Sequence, residues 1–228
     1  MVVLSEGEHV VEGSWTNSNG TVFANTLGIT CSNILFIGQS KDKTTVHGGF
    51  GVRNKKNVTV KSLTLTNPND DGTGLVVGGE EASVEMMGVS VKQCGATGLY
   101  ALNGASVKAT QCEFSENRGC GVYVRGGSKG IFTDCFFQTN GDAGVHAYEE
   151  GTLVELRGEL TEIHHNENNG LRAFSNVTIN IYIPSQSITA LVHDNEGVTD
   201  LYTLSGAKIQ SQLSSSSLEL TVIHPVAQ

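Results

Sequence analysis

The sequence has little positive charge, few aromatic residues and no long apolar run. It contains 14 Lys and Arg against 23 Asp and Glu, which gives a formal net charge of −9. Because non-specific binding to phosphate backbones requires a surplus of Lys and Arg, this balance excludes nucleic acid as a general partner of the chain. No stretch approaches about 18–20 consecutive apolar residues, so we also predict no membrane span and no membrane partner.

Proline and cysteine are scarce too, with 3 and 5 residues respectively beside 28 glycines. The cysteine count is odd, and Cys112 and Cys135 lie at matching places in the sequence, which favours buried thiols over a disulfide framework. The first residues lack the basic start and apolar run of a secretory signal. These three features favour an intracellular, reducing location.

Glycines followed by alternating apolar residues recur along most of the chain. The intervals between them are 23, 23, 24, 23, 23 and 26 residues. Self-similarity at a fixed period of this size is typical of a solenoid, in which one unit cannot bury its apolar face until a neighbour stacks on it. The repeated glycines are Gly28, Gly51, Gly74, Gly98, Gly121, Gly144 and Gly170.

Each repeat holds two or three runs of alternating, β-branched residues between Gly, Asn or Asp corners, and no window shows a helical period. The six-residue beat of a left-handed coil is missing. We therefore predict an all-β fold, a single-stranded right-handed parallel β-helix of about seven to nine coils of about 23 residues. It forms one domain over 1–228, with an irregular cap at 1–27, regular coils at 28–174, and looser coils and a tail at 175–228.

Two stretches carry a resemblance to a known superfamily. The run ITCSNILFIGQSKDKTTVHGGFGVRNKKNVTVKSLTLTNP resembles the opening coils of pectin-lyase-like proteins, and the later GLYA and GVYV coils are similar to their generic repeats. The resemblance implies the right-handed β-helix over roughly residues 7–210. It does not select an activity, because the superfamily includes lyases, hydrolases, esterases, epimerases, phage adhesins and binding scaffolds.

Stacked coils place equivalent residues in columns, so chemistry is sought down columns. The first and third positions after each glycine are apolar, except for Asn54, and we expect them to form the core. The second and fourth positions face outward and are rich in aromatic and basic residues, which suit stacking on sugar rings and pairing with carboxylates or sulfates. The same pattern is equally typical of a solvated strand face. The predicted ligand-binding residues are Arg53, Lys55, Tyr100, Tyr123, Arg125, His146, Tyr148 and Arg172.

These outward positions contain no Asp or Glu, whereas the resemblance implies that the enzymes of the superfamily place acid clusters on one sheet face. We therefore predict no catalytic residue, no metal site and no cofactor. Acids such as Asp70 and Asp71 lie at corners, where solvated turns are the ordinary explanation. His164 and His165 are adjacent, so on a strand they should point to opposite faces.

Three asparagines, Asn117, Asn140 and Asn166, each precede a repeat glycine by four residues and predict an inward amide ladder. For function, we expect a non-catalytic binding or scaffold module whose outward Tyr/Arg/His face recognises an acidic glycan or a protein partner. The alternative is a carbohydrate-active lyase, epimerase or hydrolase on a uronic-acid polymer. A rigid spacer is a third possibility, and the sequence does not decide the oligomeric state.

Overall fold

The computed structural model describes residues 1–17, 20–183, 188–197, 199–213 and 216–220. Nearly all of their regular structure is β-strand, as the alternating pattern predicts. The one helix among them, α1 (Ile188–Leu191), has 4 residues. No helix within these ranges has the length and apolar character needed to cross a membrane. Part of the predicted C-terminal tail lies outside the described residues.

Three parallel sheets run along the molecule, and each coil contributes one short strand to each of them. The coil closes because Gly, Asn and Asp corners separate the strands. The strands of sheet 1 are β1 (Val2–Val3), β6 (Leu35–Ile37), β9 (Val58–Lys61), β12 (Ser83–Met87), β15 (Ser106–Thr110), β18 (Lys129–Thr133), β21 (Leu153–Arg157), β24 (Thr178–Tyr182), β27 (Lys208–Leu213) and the antiparallel β28 (Ser216–Leu220).

Sheets 2 and 3 have eight strands each, in agreement with the predicted seven to nine coils. Sheet 2 consists of β2 (Gly7–Val10), β7 (Thr44–His47), β10 (Thr64–Thr66), β13 (Ser90–Lys92), β16 (Glu113–Ser115), β19 (Phe136–Gln138), β22 (Glu162–His164) and β25 (Val192–His193). Sheet 3 consists of β5 (Thr26–Ile29), β8 (Gly49–Arg53), β11 (Leu75–Gly78), β14 (Leu99–Leu102), β17 (Val122–Arg125), β20 (Val145–Tyr148), β23 (Leu171–Phe174) and β26 (Leu201–Leu204).

An antiparallel hairpin, β3 (Ser14–Thr16) and β4 (Val22–Ala24), interrupts the first coil. The rest of the region predicted as an irregular cap pairs with the next coil in the same parallel manner as the later strands, with β1 on β6, β2 on β7 and β5 on β8. The hairpin thus leaves the solenoid and returns to it between β2 and β5.

The core fills the inside of the coil and is formed by alternate strand residues. Val52, Leu99 and Val122 are fully buried members of it, and each such side chain contributes about 1.5–3 kcal/mol through removal from water. All five cysteines are free, and Cys112 and Cys135 are buried, which confirms the thiol prediction for this pair.

The asparagine ladder is confirmed as a chain of buried amides. The Nδ2 of Asn117 donates to Asn140 Oδ1 at 2.9 Å, and the Nδ2 of Asn140 donates to Asn166 Oδ1 at 2.9 Å. Asn195 adds a further rung that the sequence pattern did not reveal, since it accepts from Asn166 Nδ2 at 2.8 Å. Each of these amides also bonds to backbone carbonyls, so the corner holds neighbouring coils together.

The register of β8 corrects the glycine ladder at its start. Gly51 pairs with Val76, and Phe50 with Leu75, so Gly49 takes the position that the spacing gave to Gly51. The run Gly48–Gly49–Phe50–Gly51 offers several glycines, and only packing selects among them. A Cβ at Gly49 would lie 2.3 Å from the carbonyl oxygen of Thr73, so this close corner requires glycine there.

The same shift applies to Gly28, which pairs with Gly51, so all column assignments in these two coils move by two positions. Asn54 is not the polar exception in the core: it follows β8 at a corner, with a φ of 49°. Arg53 moves from the second outward position to the fourth, opposite Gly78. Cys31, expected in the core by the same spacing, is exposed.

Candidate functional site

The outward face of sheet 3 carries a column of residues in register, which we call the outer column. Its middle is a continuous stack of rings. Tyr100 and Tyr123 stack with centroids 5.2 Å apart, and Tyr123 and His146 stack at 4.6 Å with an interplanar angle of 4°. In chain order the outer column is Gly28, Gly51, Val76, Tyr100, Tyr123, His146, Arg172 and Tyr202.

A corner carboxylate, Asp142, reaches the end of this ring stack. Arg172 Nη1 donates to Asp142 Oδ1 at 2.7 Å, and Arg172 Nη2 donates to the other carboxylate oxygen. Arg172 Nη2 also lies 3.2 Å from His146 Nδ1. Because a guanidinium only donates, Nδ1 of His146 must accept, and the proton of the neutral ring is then on Nε2. That buried Nε2 has no hydrogen-bond partner among the described residues.

The protonation states at this end of the stack follow from burial and from the arginine. Burial, and after it the charge of Arg172, lower the pKa of His146 to about 4, so the ring is neutral at neutral pH. Burial alone would raise the pKa of Asp142, but the hydrogen bonds and charge of Arg172 outweigh burial and lower it. Burial raises the pKa of Tyr123 to about 12. His146 and Tyr123 are therefore uncharged rings next to an ion pair.

Arg125 forms the second ion pair of the face. Its Nη2 and Nε bond to the two carboxylate oxygens of Glu149 at 2.5 Å and 3.2 Å, and its Nη1 lies 3.5 Å from the Tyr100 hydroxyl. The guanidinium also lies 5.7 Å from the ring centroid of Tyr148. Strand positions of the face lack acids, as the sequence shows, but Glu149 and Asp142 reach it from corners. The face is thus less basic than its strand residues predict.

Arg53 and Lys55 do not join the ring stack. Arg53 ends β8 and lines a depression of about 240 Å³ together with Trp15 and Glu80. Lys55 follows the strand, and its carbonyl accepts a hydrogen bond from the backbone of Ser83, at the start of a sheet 1 strand. The structure therefore brings together six of the eight predicted site residues: Tyr100, Tyr123, Arg125, His146, Tyr148 and Arg172.

The hairpin supplies an aromatic residue that sequence reasoning missed. The Trp15 ring lies against the first coils, where a Cβ at Gly28 or Gly51 would come within 2.4 Å or 2.5 Å of it. Trp15 also contacts Phe23 of β4 at 5.4 Å between centroids. The available signal was the pair of glycines at the start of the outward column, because a missing side chain leaves room for a covering ring.

A groove of about 480 Å³ lies between the hairpin and the ring stack. Its hairpin wall includes Phe23 and Thr21, and its other side includes Tyr100, Tyr123 and Arg125. Aromatic surface with a few polar groups in a concave setting is the usual composition of a ligand site. The whole lining is Asn17, Thr21, Phe23, Thr73, Ala96, Thr97, Tyr100, Leu102, Asn103, Tyr123 and Arg125.

Comparison with known proteins places this architecture in a family. The family model described as right handed beta helix region matches residues 14–183. The chain is a right-handed β-helix protein. The predicted handedness is thereby confirmed, and the parallel sheets agree with the predicted resemblance to pectin-lyase-like proteins.

Two solved structures are similar to this β-helix protein. ORF18 of Geobacillus virus E2 is 13% identical, with a TM-score of 0.48, and the match covers 94% of this chain and 54% of the viral chain. The mannuronan C-5 epimerase AlgE4 A-module of Azotobacter vinelandii is 16% identical, also with a TM-score of 0.48, and the match covers 92% of this chain and 79% of that one. The chain spans about half of the viral protein. No curated protein matches the sequence.

The β-helix protein also has a histidine cluster outside sheet 3, where the sequence prediction was wrong. The Nδ1 atoms of His164 and His165 lie 2.6 Å apart, because His165 has a φ of 54° and the strand alternation ends there. His164 also stacks on His193 at 5.3 Å. Within the described residues, no group of three or more His, Cys, Asp or Glu side chains is arranged to hold a metal ion.

Proposed function

We propose that this β-helix protein is a non-catalytic module that binds a glycan chain in the groove between the hairpin and the outer column. The observation that carries the proposal is the pair of half-buried, stacked tyrosines, Tyr100 and Tyr123, at that groove. Rings fixed by their neighbours present a flat apolar surface at little entropic cost, which suits the apolar face of a sugar ring.

The polar groups of the groove support the same class of ligand. The lining includes the hydroxyls of Thr21 and Thr97, the amide of Asn103 and the phenols of the two tyrosines. Hydroxyl and amide groups both donate and accept, which matches the hydroxyl groups of a sugar. The lining takes residues from successive coils, with Thr73, Thr97 and Tyr123 among them, and a site that crosses several coils suits a chain of sugars better than a small compact ligand.

The state of His146 supports binding over catalysis. A general base needs a free lone pair and a pKa near the working pH. The Nδ1 lone pair of His146 is held by Arg172, while its Nε2 is buried, and its pKa is about 4. Tyr123, with a pKa of about 12, is equally unsuited to accept a proton at neutral pH.

The second candidate is a carbohydrate-active enzyme that uses the same face. The connected chain Asp142–Arg172–His146–Tyr123 favours it, because linked ionisable groups in a cleft are frequent at catalytic sites. In this case the arginine would have to release His146 when substrate binds. The experiment below measures turnover together with binding, so that it separates the two candidates.

The test uses a panel of polysaccharides and the double variant Tyr100→Ala/Tyr123→Ala. We expect the parent chain to bind at least one glycan without product formation, and the double variant to lose about tenfold or more in affinity, since about 1.4 kcal/mol of lost stacking corresponds to a factor of ten. Calorimetry measures binding, and absorbance of unsaturated products or release of reducing ends measures turnover.

The matched control is Tyr182→Ala, which removes a half-buried tyrosine from the outward face of sheet 1. Its guanidinium neighbour, Arg157, makes that environment similar to the candidate site. Unchanged affinity in the double variant, or an equal loss in the control, would exclude the groove as the site. Turnover by the parent chain would replace the binding proposal by the enzyme candidate.

A further inference from the structure

We propose that the groove selects electrically neutral glycans over acidic ones. This inference deepens the proposed function and rests on it, because it names the ligand class of the same site. The sequence alone favours an acidic glycan, since its outward strand positions carry arginines and no acids. The structure supports the opposite preference, because Arg125 and Arg172, the two arginines beside the ring stack, are each paired with a carboxylate.

The first pair lies at the groove itself. Arg125 is the one charged side chain in the lining of the groove, as far as the described residues show. The edge of its guanidinium that could bind a ligand carboxylate through Nε and Nη2 is already occupied by Glu149, and Nη1 faces the Tyr100 hydroxyl. Binding an acidic sugar there would require the ligand to displace an intramolecular carboxylate in the same bidentate geometry.

The second pair lies beyond His146, where Arg172 is two rungs from Tyr123. Arg172 bonds to Asp142 through two nitrogens, and its side chain is only 14% exposed. His146, between this pair and Tyr123, is uncharged because of burial and the neighbouring arginine. No net positive charge therefore remains along the stack from Tyr100 to Arg172.

The surroundings add no attraction for an anion. The adjoining depression contains both Arg53 and Glu80, one charge of each sign. The whole chain carries a formal net charge of −9, which disfavours the approach of a polyanion at low ionic strength. The remaining polar lining of the groove consists of hydroxyl and amide groups, which bind sugar hydroxyls without needing a charge.

The test removes the carboxylate partner of Arg125, so that its guanidinium becomes available to an acidic ligand. Glu149→Gln removes the carboxylate from Arg125, while Glu150→Gln changes the net charge equally at the next residue, which is exposed. Parent and variants are titrated with neutral polymers (β-glucan, xylan, galactomannan) and acidic polymers (polygalacturonate, alginate) at low and at physiological salt. Thermal unfolding of each variant shows whether it remains folded.

We expect the parent chain to bind a neutral polymer with an affinity that hardly depends on salt, and to bind acidic polymers about tenfold more weakly or not at all. Glu149→Gln should gain about fivefold or more in affinity for acidic polymers at low salt, and Glu150→Gln should not. Salt-sensitive preference of the parent for acidic polymers would overturn this inference and leave the proposed function standing. Absence of binding to every polymer would overturn both.

Discussion

Two columns of stacked side chains run along this β-helix with the same period, but one is buried and the other is partly exposed to solvent. The asparagine ladder at the corner before sheet 3 is buried, and its amides bond to each other and to backbone. The outer column leaves Tyr100 and Tyr123 half exposed. Regular repetition alone therefore does not separate a structural column from a candidate binding surface. What separates them is whether the side chains still have faces and polar groups free for a ligand.

The largest loss of stability is expected when the asparagine ladder is interrupted at Asn140. Its side chain donates to Asn166 Oδ1 and the Phe114 carbonyl, and accepts from both the backbone and the side chain of Asn117. Because Asn140→Ala leaves several buried partners unsatisfied, we expect the free energy of unfolding to fall by about 4 kcal/mol. Urea unfolding followed by circular dichroism measures this change.

The control for the asparagine prediction is Asn168→Ala, an exposed residue of the following corner that makes one side-chain bond, to Asp142. We expect it to cost less than about 1 kcal/mol, since an exposed bond is replaced by water. Equal losses in the two variants would mean that the buried ladder stabilises no more than a surface contact. Both variants replace an asparagine by alanine, so they differ only in the burial and the hydrogen-bond partners of the amide that is removed.

The ladder and the fold illustrate what the sequence could predict. Each coil repeats the same local choices, so period, strand alternation and corner residues all indicate one architecture. Asn117, Asn140 and Asn166 and the run Tyr100–Tyr123–His146–Arg172 were found because they recur at the repeat spacing. Properties that depend on equivalent positions in successive coils are thus readable without a structure.

Contacts outside the repeat spacing could not be predicted in this way. Asp142 and Glu149 lie at corners, where backbone direction changes, so sequence position does not show that they reach the strand face. Trp15 lies in an insertion with no equivalent in later coils. Near Gly51 the sequence offers several glycines for the repeat position, and only the close packing at Gly49 shows which one occupies it.

The second prediction concerns the pH dependence of stability. The asparagine ladder has no titratable group, whereas the outer column contains His146. Its pKa is about 4 in the folded chain against an ordinary 6.5, so between these values the unfolded chain binds a proton that the folded chain does not. Stability should therefore fall as the pH drops from about 6.5 to 4, by up to about 3 kcal/mol from this residue. Urea unfolding midpoints across this range measure the loss.

His146→Gln removes the titration and keeps an amide that can accept from Arg172. The variant should lose less stability than the parent chain over the same pH range, whatever its stability at pH 7. His164, whose pKa is also lowered, by burial first, contributes equally to both proteins and cancels in the comparison. The same pH dependence in parent and variant would show that His146 is not the group that responds.

The smallest loss of stability is expected from a substitution under the hairpin, where Trp15 covers the outer column. Gly51→Ala places a Cβ 2.5 Å from the Trp15 ring, so the ring must move away, at a cost of about 1–2 kcal/mol. Trp15 is the single tryptophan of the chain, so tryptophan fluorescence reports on it alone. Its emission maximum should shift to longer wavelength as the ring becomes more exposed to solvent. Gly78→Ala is the matched change on the next strand, where the nearest atom is Leu102 Cδ2 at 3.3 Å, and it should leave the emission unchanged. An unshifted emission in Gly51→Ala would mean that Trp15 does not rest on the column, and that the hairpin wall of the groove is held by other contacts.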